Sequence, residues 1–453
     1  MPCVSEHTAR KKFVTLRSIT PHLFSFISML NTHTIKHHFP LFDRHPSLVY
    51  LDAGATCPKP REVIAAEREY EEAFSTNVGR GLYPLAEATT ERFEAVRSQV
   101  ARFIGAESER EIIFTSGTTT SLNLAAALLA PTLRSGDHII TTELEHHSNS
   151  LPWIELARHS SKGGLAHTKN IPLRLIPFTE EGSIDTDQLI ALIDSKTRIV
   201  ALSALSNVFG TRNPITDIIK RIRNRNPETI VIVDAAQMAG HFPIDVAQWD
   251  ADLVAFSGHK MYGPTGVGIL FGKQALLETL KPTTFGGGMV IDACADPTEY
   301  KESPFCFEAG TPNISGVIGL GAAITFLEHI GFETIRTHEK NLLTMTLTRL
   351  RENFGDQIHI LGTDDIEKRG GLISFTLDHI HPHDLAHILG EHNICIRAGE
   401  HCAASLHRKL GIPATARISF GVYNTEEDVE KLITGIKNAR TLFDTKTPFH
   451  SSI

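Results

Sequence analysis

The sequence predicts an α/β fold: a large domain built on a mostly parallel sheet flanked by helices, with a smaller α/β domain beside it. Between about residues 50 and 295, short apolar runs alternate with helical stretches, the pattern of strand-helix-strand units. Two of those runs, Thr229-Ile230-Val231-Ile232-Val233 and Leu253-Val254-Ala255-Phe256, are continuously apolar, as in parallel strands covered on both faces. A chain of 453 residues is also too long for one compact core. The expected boundaries are 50–295 for the large domain, and 29–49 with 296–453 for the small one.

Residues 1–28 hold Arg10, Lys11, Lys12 and Arg17 against the single acid Glu6. Organelle transit peptides share that composition. The expectation is a disordered or overextended tail on a cytoplasmic protein, with organelle targeting as the alternative. Next, Glu111-Ile112-Ile113 reads as a strand that runs into Phe114-Thr115-Ser116-Gly117-Thr118-Thr119-Thr120 and then the helical stretch around Leu122. A glycine and hydroxyl turn at a helix N-terminus presents free N–H groups to a phosphate. Thr118 and Thr119 are the candidate cradle, and a cap with no ligand is the alternative. The strand Ile139-Ile140-Thr141 leads to Glu145-His146-His147-Ser148-Asn149. His146 is placed to stack on a planar ring and move protons. Nothing nearby completes a zinc ligand set for the two histidines, so no metal is expected.

The strand at 229–233 ends on Asp234-Ala235-Ala236-Gln237. Ligands of open α/β sheets bind outside the strands' carboxyl ends, where Asp234 can hold a pyridinium nitrogen protonated and Gln237 can bond a phenolic oxygen. An acid there can also be only a helix N-cap. The next strand ends on Ser257-Gly258-His259-Lys260, before the turn Gly263-Pro264-Thr265-Gly266. A lysine held there can form a Schiff base with an aldehyde cofactor, with Ser257 and His259 as phosphate ligands. Beyond residue 296, the runs 313–330 and 427–443 read as amphipathic helices of the small domain.

Taken in order, these stretches resemble the class V, fold-type I pyridoxal phosphate enzymes, and within them the SUF-type (group II, NifS-like) cysteine desulfurases. The likeness runs from about Met29 to Phe443. It also rests on Leu51-Asp52-Ala53-Gly54-Ala55-Thr56, Asn77-Val78-Gly79-Arg80-Gly81, Ser206-Asn207-Val208-Phe209-Gly210-Thr211, Phe307-Glu308-Ala309-Gly310-Thr311-Pro312, Arg397-Ala398-Gly399-Glu400-His401-Cys402-Ala403 and Ala416-Arg417-Ile418-Ser419. Each motif is weak alone; their order and spacing are specific.

The resemblance implies pyridoxal 5'-phosphate as cofactor, Lys260 as the Schiff-base lysine, Asp234 at the ring nitrogen and His146 over the ring. It implies Asn207 and Gln237 near the phenolic oxygen, and Thr118, Thr119, Ser257 and His259 around the phosphate. Thr311 would reach the phosphate of a neighbouring subunit in a homodimer. Arg417 would grip the carboxylate of L-cysteine, with Asn207 and Arg397 beside it. Cys402 would take the sulfur as a persulfide for iron-sulfur cluster assembly, helped by positive charge from Arg397, His401 and Arg417. Selenocysteine lyases and aminotransferase- or kynureninase-like enzymes share the fold, but transamination needs no such thiol. The polar run Gly399-Glu400-His401 before Cys402 and Ser405 after it predict a loop, with a helix from Leu406. A short loop carries sulfur only a small distance, so a SufE- or SufU-like acceptor is expected to dock there. The Pro382-His383-Asp384 turn resembles the branch in which this histidine engages a zinc-bearing, SufU-like acceptor; a plain surface turn is the alternative.

Several positions depart from the family pattern: Gly79 and Ala204 stand where relatives carry histidine, Ser116 where they carry arginine, and Glu400 where they carry the first histidine before the cysteine. Glu400 adds a negative charge near Cys402, which predicts slower or more partner-dependent turnover. The other cysteines, Cys3, Cys57, Cys294, Cys306 and Cys395, are scattered, so neither zinc nor structural disulfides are expected. A formal charge of −8 without a basic block argues against nucleic acid. No apolar run has the length that predicts a membrane span.

Overall fold

The structure is a computed structural model that describes residues 32–161 and 170–444. The tail expected at 1–28 lies outside the described residues, as does Cys3.

The larger sheet has seven strands: β1 (Ile112–Thr115), β2 (His138–Thr142), β3 (Leu173–Ile176), β4 (Thr197–Ser203), β5 (Ile230–Asp234), β6 (Leu253–Ser257) and β7 (Gly268–Gly272). Their spatial order is β1-β7-β6-β5-β4-β2-β3. Every neighbouring pair is parallel except the two made by β7. Strands β5 and β6 are buried at every residue, which is why they read as unbroken Val/Ile/Leu runs rather than as alternations. The register sets Ser203 beside Asp234 at the carboxyl ends of β4 and β5. Gly268 is required where β7 passes the phosphate turn, because a Cβ there would stand 2.4 Å from Gly117 Cα.

A second, antiparallel sheet has four strands: β8 (Ile358–Ile360), β9 (Leu372–Leu377), β10 (Arg397–Gly399) and β11 (Thr415–Ser419), in the order β8-β9-β11-β10. Its core joins Ile373, Phe375 and Ile418 to Leu343 and Leu347 from one helix and Leu432 and Ile436 from another. The segment Val49–Tyr50 pairs with Ile394–Cys395, and Asp52 bridges to Ser419. Residues 49–52 therefore lie against the second sheet before the chain enters the first.

The helices expected around Leu122, at 313–330 and at 427–443 are present with shifted ends, as α1 (Thr118–Leu129), α3 (Ile314–Ile330) and, at the C-terminus, Glu426–Asp444, and a further helix, α2 (His147–Ser161), follows the histidine pair. Helix α3 departs from expectation. It is apolar on nearly every side, and Val317, Leu320, Ile324 and Leu327 join the core of the larger sheet. A helix that is hydrophobic all round must be covered on all sides, and the helices Arg61–Glu69 and Pro84–Phe103 lie against it. Among the described residues no single helix is long and apolar enough to cross a membrane; α3 and the helix after it pass such a test only together, bent by 74°.

Candidate active site

A cavity of about 420 Å³ opens at the carboxyl ends of β4, β5 and β6, within the roughly 300–1,000 Å³ of small-molecule sites. Its lining brings together Thr118, Thr119, His146, Asn207, Asp234, Gln237, Ser257, His259, Lys260, Arg397, Cys402 and Arg417. Thr311 is the exception: it is exposed in a separate concavity lined also by Asn77 and Arg80.

At the phosphate end, the N–H of Thr118 donates to Ser257 Oγ at 2.7 Å, the two hydroxyls are 2.6 Å apart, and Thr119 Oγ1 lies 2.7 Å from Ser148 Oγ. This ties the start of α1 to the end of β6 and concentrates hydroxyls at a helix N-terminus. Burial, then the charges of Lys260 and Lys59, pushes His259 down to about 4, so it acts as a neutral N–H donor rather than a cation.

On the cavity floor, Asp234 is buried, and Oδ1 accepts the N–H of Ala236 at 2.9 Å. Burial raises its pKa against the pull of Lys260. Burial likewise lowers the amine of Lys260, with Asp234 opposing. A cationic ring nitrogen beside the acid would offset the burial that raises it, and burial biases the amine toward its nucleophilic form. His146 caps α2: its Nδ1 accepts the N–H of Ser148 at 3.1 Å, which puts the ring proton on Nε2. Burial, then Lys260, lowers it to about 3, leaving a neutral ring free to stack.

Glu145 was not singled out in the sequence, although its run was. It is buried, and accepts from Thr142 Oγ1 at 2.7 Å, Asn149 Nδ2 at 2.6 Å, and the N–H and hydroxyl of Ser203 at 3.0 and 2.6 Å. One carboxylate thus knits the ends of β2 and β4 to α2 beneath His146. Burial pushes it up to about 7. Its position after a strand was the available signal, but its four donors come from three separate elements.

On the substrate side, Arg417 is buried. Its Nη1 donates to the Asn207 carbonyl at 2.9 Å, and Nη2 stands 3.7 Å from Asp52. Its Nε has no hydrogen-bond partner among the described residues, and burial lowers its pKa to about 10. That unused Nε is itself covered, but the residue lines the cavity, where a guanidinium suits a carboxylate. Arg397, by contrast, is already held by Asp52 through Nη2 at 2.7 Å and Nε at 3.1 Å. The two amides are likewise engaged: Gln237 Nε2 donates to the Gly54 carbonyl at 2.8 Å and Asn207 Nδ2 to the His401 carbonyl at 2.7 Å. Each –NH₂ keeps one further proton for a phenolic oxygen.

Cys402 is exposed at the cavity rim. It follows His401 with φ of +55° after +51°, two consecutive left-handed residues that each cost on the order of 1 kcal/mol. Two expectations about this loop are corrected. His401 supplies no charge to the thiol: it is buried, Nε2 lies 2.9 Å from Thr415 Oγ1, and burial, then Arg417, lowers it to about 2. The following helix, α4 (Ala404–Leu410), starts two residues earlier than predicted, so only Ala403 separates it from the thiol. Among the described residues no group of three or more His, Cys, Asp or Glu side chains converges as a metal site.

The donors fit pyridoxal phosphate on this structure's own terms: hydroxyls and a helix N-terminus for the phosphate, a buried acid for the ring nitrogen, a neutral imidazole for its face and a desolvated lysine for its aldehyde. The family model for class V aminotransferases matches residues 49–432. A probable cysteine desulfurase of Halalkalibacterium halodurans is 43% identical over 91% of this chain and 99% of its own. One of Streptomyces coelicolor is 41% identical over 92% and 98%. Among solved structures, the apo cysteine desulfurase of Thermococcus onnurineus superposes with a TM-score of 0.84 at 36% identity, covering 93% of this chain and 100% of that one. The Escherichia coli cysteine desulfurase CsdA gives 0.82 at 35%, over 91% and 99%. With its fold, its strand-end lysine and acid, and this match along nearly its whole length, the chain belongs to the class V aminotransferase family.

Proposed function

We propose that the protein is a pyridoxal-phosphate-dependent cysteine desulfurase that converts L-cysteine to L-alanine and retains the sulfur as a persulfide on Cys402. The observation that carries this reading is that a thiol, Cys402, and a lysine, Lys260, line one cavity with the guanidinium of Arg417. Transamination requires the last two and has no use for the first.

When bound, the cofactor supplies an aldehyde for amines and a pyridinium ring that takes up the electron pair released at the substrate's α-carbon. Arg417 binds the substrate carboxylate through its guanidinium and orients the α-hydrogen. Lys260 Nζ, whose pKa burial lowers, removes that proton and returns one. Asp234 would hold the ring nitrogen in its protonated form, and His146 would cover the ring face. Cys402 Sγ attacks the substrate's sulfur as the thiolate; the S–S bond forms as the substrate's C–S bond breaks, and the carbon side takes up a proton. The balance is L-cysteine plus Cys402–SH giving L-alanine plus Cys402–S–SH. The test is incubation with pyridoxal phosphate and L-cysteine, with alanine and sulfide assayed.

The reading extends to a homodimer and an acceptor. Thr311 and Arg80 line a concavity of about 590 Å³ away from the cavity, and Leu82 (94% exposed), Phe285 and Ile291 (67% each) lie close to it in sequence. A second copy covering that face would bury those side chains and bring Thr311 to a neighbouring cofactor phosphate. For sulfur release, Cys402 on a short loop must be visited by a SufU- or SufE-like acceptor. His383, at the start of the helix Pro382–Glu391, supports the zinc-bearing type: a Cβ added at Gly399, on the strand before the thiol, would stand 3.7 Å from its Nε2.

A further inference from the structure

His147, the second histidine of the pair, has no part in the chemistry above. It opens α2, and its N–H, one of the donors a helix start leaves without an intrahelical partner, donates to the carbonyl of Cys402 at 2.8 Å. Its ring turns to the same loop: the N–H of Ala404, the first residue of α4, donates to His147 Nε2 at 3.2 Å. One residue thus holds the peptide groups on both sides of Ala403, directly after the thiol. Other ties on this loop include Asn207 Nδ2 to the His401 carbonyl at 2.7 Å, His401 Nε2 with Thr415 Oγ1 at 2.9 Å, the Ala403 N–H to the Glu400 carbonyl at 2.8 Å, the His407 ring with the Ala403 carbonyl at 3.1 Å, and an ion pair from Lys409 on α4 to Glu143. The left-handed conformation of His401 and Cys402 persists only if its surroundings hold it, and His147 supplies two of these contacts.

Resting on the desulfurase reading, we propose that His147 is a positioning residue for sulfur transfer. As an Nδ1-protonated imidazole accepting at Nε2, it locks the Cys402 turn so that Sγ stays at the cavity. Because His146 and His147 are consecutive, a single helix start sets both the ring-stacking imidazole and the thiol loop.

His147→Leu removes the Nε2 acceptor but keeps the backbone bond, while His147→Gln places an amide oxygen near the lost nitrogen. In hydrogen exchange without L-cysteine, the peptide spanning 400–406 should lose protection in His147→Leu and keep it in His147→Gln. With L-cysteine, kcat should fall roughly tenfold in His147→Leu, as expected for a misplaced reacting group, with KM unchanged because Arg417 is intact, and recover in His147→Gln. Wild-type exchange in the leucine variant, or altered exchange with wild-type kcat, overturns the proposal. Nitrogen-15 histidine spectra of the wild type need no variant: His147 should be the Nδ1-protonated tautomer, and the Nε2-protonated tautomer overturns the proposal even if both variants fail to fold. If the wild type makes no alanine, the desulfurase reading fails, while the exchange and tautomer results still decide the clamp.

Discussion

Asn207 donates to the carbonyl of His401 at 2.7 Å across 194 residues of sequence, and its own carbonyl accepts from Arg417 at 2.9 Å. One residue after β4 therefore links the loop of the thiol to the receptor for the substrate carboxylate. Asn207→Ala leaves the buried carbonyl of His401 without its donor, which costs about 1–3 kcal/mol. The expected outcome is a lower denaturation midpoint in urea together with a higher KM and lower kcat for L-cysteine; a change in stability alone would show that the link does not reach the substrate.

Lys260 and Asp234 are separable by covalent trapping. Borohydride treatment of the cofactor-loaded protein should fix pyridoxal phosphate on the peptide containing Lys260, read by mass spectrometry; label on another lysine contradicts the assignment. Asp234→Ala should still be labelled, because the amine is intact, yet lose most turnover, because the electron sink is weakened.

Much of this cavity was legible in the sequence because two apolar strands, β5 and β6, lead directly into functional residues: the apolar run predicts the strand, and the strand's carboxyl end places Asp234 and, one turn further on, Lys260. The partners across the cavity were not legible. His401 reads as a polar loop residue, but the strand Thr415–Ser419 covers it and leaves it neutral. Arg397 reads as a free cation, and only the return of the chain at Asp52 shows it taken. Helix α3 misled for a related reason, since its helical period was visible but not that helices cover it on several sides.

Glu145 makes stability depend on pH in a defined window. Its folded pKa is raised from 4.5 to about 7, so the folded state holds the proton more tightly than the unfolded chain. The stabilisation is fully present below about pH 4.5 and is lost as pH rises to about 7. Urea denaturation at pH 5 and pH 7.5 should show wild type losing about 2–3 kcal/mol more than Glu145→Gln between those points, at ~1.4 kcal/mol per pKa unit. Equal losses in both proteins would mean that Glu145 stays charged.

The acceptor reading is tested through His383. Adding a zinc-bearing, SufU-like acceptor should raise cysteine turnover of the wild type several-fold and stimulate His383→Ala much less, with the two proteins equal in its absence. Equal stimulation of both leaves His383 as a surface turn residue.

Whether Cys402 is the sulfur nucleophile is decided by a single turnover. Stoichiometric L-cysteine should yield alanine, with one extra sulfur on the Cys402 peptide in the mass spectrum. Cys402→Ala should still bind L-cysteine, judged by its change in the cofactor's absorbance, but form almost no alanine. If Cys402→Ala produces alanine at the wild-type rate, or the added sulfur is found on another cysteine, the account is wrong.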